Sequence, residues 1–177
     1  MTKFVSLFLA TLIGLFTLEM LAPVQAHVIQ PFTMALAKIS AALVTPFDSE
    51  VIAYGRILEH TGNHFAVSIE AGCNGVEAAI VLIAGIIAFP ASWRDRLLAA
   101  IIGFFTIQVL NIIRIISLFY LGQWSENVFS FFHLYLWPVL IMLDVLIVFL
   151  IYLRYLNRKN KGPNDDSDHN ASGTVPV

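Results

Sequence analysis

The chain has 177 residues, of which 58% are apolar and only 12% charged, and its formal net charge is −2. A soluble domain is roughly 45–50% apolar and about a quarter charged, so a soluble globule of this composition would expose large apolar patches. The composition therefore excludes a soluble enzyme and a disordered protein, and the near-neutral charge leaves no basic footprint for nucleic acid.

A bilayer core of about 30 Å takes roughly 20 apolar residues per helix. In chain order, this length rule predicts four crossings, over Phe4–Ala22, Val76–Phe89, Leu97–Leu121 and His133–Leu153. The second is short and stops at Pro90. The fold class is thus all-α, an integral membrane helical bundle with a small extracytoplasmic segment of short helices and one short strand. Lys3, the Val24-Gln25-Ala26 triplet and the apolar run between them also fit a cleaved signal peptide, an alternative reading of the first segment.

Between the first two crossings, Phe32–Val44 is apolar but too short to span, which predicts a helix lying in or dipping into the outer interface. Val51–His60 reads as a second short amphipathic helix with Gly62 as its stop. His64–Glu70 alternates, with Phe65, Val67 and Ile69 on one face, and reads as a strand. His60 and His64 have a spacing that would hold a metal on a helix, but Thr61-Gly62-Asn63 reads as a turn, so no metal or cofactor site is expected.

The domain comprises residues 1–156, with an outer segment 23–72 and a core 73–153. Residues 157–177 form a polar tail expected to be disordered and cytoplasmic; it holds the sequon Asn170-Ala171-Ser172. Lys3, Arg94, Arg96, Arg154, Arg158, Lys159 and Lys161 fall on one side of four crossings, and only Lys38 and Arg56 on the other. The positive-inside rule then puts both termini in the cytoplasm and residues 23–72 and 122–132 outside. Trp93, Trp124 and Trp137 read as interfacial anchors.

Ionisable groups at membrane depth are expensive and mark function by default. Arg114 lies about 25 Å along the third crossing at 1.5 Å per residue, in the outer leaflet. It either faces a partner or snorkels to head groups. Cys73, the single cysteine, stands in Ala71-Gly72-Cys73-Asn74-Gly75 at the outer mouth of the second crossing. Its glycines permit a tight turn, and a helix N-terminus there would favour a thiolate. His133 stands at the outer mouth of the fourth. A thiol, a base and a cation at one depth suit cysteine acyl transfer. Asn111, one turn before Arg114, is a candidate to orient the guanidinium. Glu77, four residues after Cys73, is a candidate to position His133 or pair with Arg114. Asp144 lies deeper and reads as an interhelical hydrogen-bonding group.

Three segments, Ala71-Gly72-Cys73-Asn74-Gly75, Asn111-Ile112-Ile113-Arg114-Ile115 and Phe132-His133-Leu134-Tyr135-Leu136-Trp137-Pro138, resemble the Cys, Arg and His motifs of the exosortase/archaeosortase family. The order matches, and the resemblance covers about Ile52 to Leu153. The run Cys73-Asn74-Gly75-Val76-Glu77 is most similar to the exosortase H subgroup. Two departures stand out: many members carry more helices, and most have serine where Asn74 stands. The resemblance implies a membrane-embedded cysteine peptidase or transpeptidase of the bacterial inner membrane. Its implied partners are secreted proteins ending in a short motif, a transmembrane helix and a basic tail, with a motif of the Ile-Pro-Thr-Leu type, together with membrane lipid and an unidentified acceptor. By the same implication Cys73 forms a thioester, His133 acts as base then acid, and Arg114 stabilises the oxyanion or orients substrate. Two other readings compete. In one, Cys73 acylates or deacylates lipid. In the other, the chain is a small transporter or assembly subunit whose Arg114 binds an anionic group.

Overall fold

The computed structural model describes residues 2–160. Helix α1 spans Thr2–Met20 and α2 spans Ala22–Val44, with a wider π-turn at Gln25–Ile29. Three strands follow, β1 (Val51–Tyr54), β2 (Ile57–His60) and β3 (Phe65–Ser68). Then come α3 (Val76–Ala88) and α4 (Trp93–Trp124). The last helix, α5, joins Glu126–Phe131, a π-turn at Phe132–Leu136, and Trp137–Asn160. The protein is a helical membrane bundle, as predicted, with a three-stranded sheet at one end where short helices and one strand were expected.

Four helices, α1, α2, α4 and α5, are long and apolar enough to cross a bilayer. The membership differs from the expected four, because α3 has only 13 residues, about 20 Å of helix. It is nonetheless the centre of the bundle. Ala78, Ala79, Leu82, Ala84, Gly85, Ile86 and Ala88 are all buried, as befits a helix apolar all round. Small residues let its neighbours approach closely: a Cβ on Gly85 would sit 3.1 Å from the Phe149 ring, and one on Gly103 of α4 would overlap Leu82.

Helix α1 runs antiparallel to α3. Its start puts the Phe4 ring 6.5 Å from Phe89, and its end brings Glu19 near Glu77. Phe32–Val44 is not a separate short helix, as expected, but the second half of α2. Pro31 does not break α2 because the π-turn just before it widens the coil where the ring would strike the preceding carbonyl. Only the C-terminal end of α2 reaches the sheet. The helix starts beyond Glu19, passes Asn74 at Thr33, and ends with Val44 buried among Val51, Leu58 and Phe119.

Val51–His60 is a hairpin rather than the predicted helix. β-branched Val51, Ile52 and Ile57 favour the pleat, and Gly55 at φ +56° makes the turn. The predicted strand over His64–Glu70 is found as β3. The sheet order is β1-β2-β3, all antiparallel, with Leu58 opposite both Ala53 and Val67. Thr61-Gly62-Asn63 forms the expected turn, closed by the His64 N–H to the His60 carbonyl at 2.9 Å. Leu58, Val51 and Ile69 pack on Leu36, Ala37, Ile115 and Phe119, which fixes the sheet over the ends of α2 and α4.

Helix α4 starts earlier than predicted because Ser92 caps it, accepting from the Asp95 N–H at 3.3 Å. Ser125 alone separates it from α5, so residues 122–132 are helical apart from Ser125. Trp93 and Trp124, at the two ends of α4, are exposed as anchors should be, whereas Trp137 is buried. Helix α5 continues through residues 157–160; residues 161–177, including the sequon, lie outside the described residues. Arg96 donates to the Phe89 carbonyl at 3.0 Å and Lys159 to Asp95 at 2.8 Å, which gathers the predicted basic side at the end opposite the sheet.

Candidate active site

Cys73 sits in a turn and not in the first turn of α3. Its N–H donates to the Glu70 carbonyl at 3.0 Å. Gly72 at φ +80° and Gly75 at φ +75° bracket it in left-handed backbone that other residues resist. Gly75 also lies against α4: a Cβ there would sit 3.0 Å from Gln108 Nε2 and 3.3 Å from Asn111 Cγ. Asn74 is buried beneath the turn. Its Oδ1 accepts from the Val76 N–H at 3.0 Å and its Nδ2 donates to Thr33 Oγ1 at 3.4 Å. It thereby ties the cysteine turn to both α3 and α2, a role sequence reading left open.

Arg114 is 5% exposed and does not snorkel. Nη1 donates to the Gly72 carbonyl at 3.0 Å and Nη2 to Cys73 Sγ at 3.4 Å. One guanidinium therefore holds both the backbone before the cysteine and the sulfur itself. Helix α4 delivers it, since Asn111 and Arg114 point from the same face toward the turn. Asn111 is fully buried but packs under Gly75 and makes no bond to Arg114, so it does not orient the guanidinium as expected. Glu77 pairs with neither His133 nor Arg114. It accepts from the Gly72 N–H, so it acts as a second clamp on the turn. Asp144 is buried with Oδ2 unpartnered, so its expected interhelical bond is not made at that atom.

His133 occupies the π-turn of α5, stacked on Phe129 at 5.4 Å between centroids. The cause is Pro138, six residues from the start of the turn: its ring needs room at the Leu134 carbonyl, and the extra residue in the coil provides it. The turn aims His133 into a cavity of ≈ 610 Å³ that Cys73 and Arg114 also line. Strand β3, Ile115 and Leu118 of α4, and Phe129 of α5 line it as well. His133 Nδ1 has no partner among the described residues. The three predicted groups thus converge on one chamber at the sheet end of the bundle.

The surroundings of the Cys73 thiol oppose the thiolate expected at a helix start. Burial pushes the Cys73 thiol above its ordinary range, Arg114 opposes that rise, and Glu77 and Glu70 add to it. Alkylation of Cys73 by a small thiol reagent is therefore expected to accelerate only above the pH at which free cysteine reacts. Arg114→Gln should move that profile further up and Glu77→Gln should move it down, read by mass spectrometry across a pH series. A profile at or below that of free cysteine contradicts the burial.

No curated protein and no solved structure matches the chain. The sequence profile of the family described as transmembrane exosortase matches residues 2–153. That span takes in all five helices up to Leu153 of α5, the sheet, and the Cys73, Arg114 and His133 positions. The chain belongs to the transmembrane exosortase family.

Proposed function

We propose that the protein is a cysteine peptidase or transpeptidase that cuts the C-terminal sorting signals of membrane-anchored secreted proteins. The observation that carries this is the Arg114 fork bridging the Gly72 carbonyl and Cys73 Sγ, in a cavity that His133 also lines. In the proposed reaction the Cys73 proton passes to His133, and the sulfur attacks the scissile carbonyl. The C–N bond breaks, His133 returns the proton to the leaving amine, and a thioester remains on Cys73 until an acceptor displaces it. Arg114 stabilises the thiolate before attack and the oxyanion after it.

The depth of the site supports the substrate class. A nucleophile beside the end of a short buried helix meets only peptides presented at that depth, as a tail anchored by its own helix is. The basic clusters at the opposite end support an outward-facing site with cytoplasmic termini in a bacterial inner membrane. The motif proposed is of the Ile-Pro-Thr-Leu type.

The test is co-expression with a reporter ending in that motif, an apolar helix and a basic tail. The expected result is loss of the helix and tail, seen as a shorter C-terminus by mass spectrometry, only when the protein is present. An intact reporter overturns the reading.

A further inference from the structure

The wall of the cavity nearest Cys73 is a strand with an open edge. In the order β1-β2-β3, β3 pairs with β2 on one side and, among the described residues, with no strand on the other. Residues 65–71 all line the cavity. The Ile69 N–H donates to the Arg56 carbonyl at 3.0 Å, and the register continues as Ile57 opposite Ser68 and Leu58 opposite Val67. In an antiparallel ladder the direction of the backbone groups alternates along the strand. Phe65, Val67 and Ile69 therefore spend their backbone groups on β2. Ala66 and Ser68 direct theirs out of the free edge. Two residues past β3 the Glu70 carbonyl receives the Cys73 N–H, so this edge leads directly to the nucleophile.

An open edge is a template for another strand. The geometry points to β3 as the docking strand for the extended motif of the anchored protein tail, which adds as a fourth strand parallel to β3. This rests on the function proposed above.

The direction follows from where β3 begins and ends. Phe65 packs on Phe119, with ring centroids 6.0 Å apart, near the outer end of α4. Ile69 shares a core with Ile115, and Cys73 lies at Arg114, so β3 descends toward the middle of the bundle. A substrate whose folded part is outside and whose C-terminal helix is in the bilayer descends the same way. In a parallel pair, the substrate residue opposite Val67 donates its N–H to the Ala66 carbonyl and accepts from the Ser68 N–H. The register then carries the scissile carbonyl down to Cys73. The volume of ≈ 610 Å³ falls within the range of ligand-binding pockets. Main-chain pairing would supply affinity, with side chains on alternate residues supplying selectivity.

Two measurements test this on the full-length protein in membranes. Ser68→Pro removes an N–H that β2 does not use, at an edge position where proline is tolerated, and is compared with Ser68→Ala, which loses only the hydroxyl bond to Glu70. Processing of the anchored reporter is expected to fall about tenfold or more, through a raised KM, while the alkylation rate of Cys73 and the melting temperature stay native. Independently, native protein is given reporter peptides in which single amides upstream of the scissile bond are replaced by esters. The expected losses recur at every second residue. Native rates with Ser68→Pro, or ester losses without a two-residue period, overturn the strand pairing; if Ser68→Pro melts early, the ester series decides alone. A native protein that leaves the all-amide reporter uncut overturns instead the function on which the pairing rests.

Discussion

Cys73→Ala is expected to stop processing, lowering its rate on the order of 10³-fold or more, while the protein remains in the membrane at native abundance. The side chain is small and half-buried, and it accepts one bond, from Arg114 at 3.4 Å, so its loss costs little stability. The turn is held instead by Arg114 on the Gly72 carbonyl, by Glu77 on the Gly72 N–H and by Asn74 on Val76. None of these bonds uses the sulfur. The proposed reaction does use it, since without the thiol no acyl-enzyme forms and the carbonyl meets only water. Uncut precursor should accumulate on immunoblots. A hydroxylamine-labile adduct with substrate should be detectable on the native protein and absent from Cys73→Ala. Native processing by Cys73→Ala would overturn cysteine catalysis. If Arg114→Ala alone then failed, the transporter or scaffold reading would take its place.

The bundle was readable because a bilayer enforces long apolar runs, and Leu97–Leu121 or His133–Leu153 carry that signal without help. Cys73, Arg114 and His133 were readable because buried ionisable or nucleophilic groups are rare in such runs. What the sequence hid was set by tertiary context. Val51–His60 carries both a helical apolar spacing and β-branched residues, and only the pairing of Leu58 with Val67 and Ala53 decides between them. Pro138 lies inside the predicted fourth crossing and Pro31 just before the predicted Phe32–Val44 helix, and each follows a π-turn that absorbs its ring. The second of these turns places His133, so a proline near a histidine was the overlooked signal. Asn111 and Glu77 sit on the predicted faces, but helix spacing cannot say which neighbour meets them. Gly75 lets α3 and α4 approach so closely that Asn111 is taken by the glycine, while the backbone of Gly72 takes Glu77.

Arg114 carries the second large effect. Arg114→Ala and Arg114→Lys are both expected to reduce processing by about 10²–10³-fold, with lysine giving no useful rescue. The reason is geometric. Nη1 and Nη2 address two targets at once, the Gly72 carbonyl at 3.0 Å and Cys73 Sγ at 3.4 Å. A planar fork can do so, whereas an ammonium is a single point on a flexible stem. Lysine would keep a charge near the sulfur but leave the carbonyl or the thiolate without its donor. The two variants should separate in the alkylation profile of Cys73. Alanine removes the nearby cation and should drive the thiol furthest up, while lysine retains part of the opposing charge and should fall between alanine and native. Processing near native levels in Arg114→Lys would mean that charge alone suffices and that the fork has no part in the reaction. A loss of processing with an unchanged alkylation profile would place Arg114 on the substrate rather than on the sulfur.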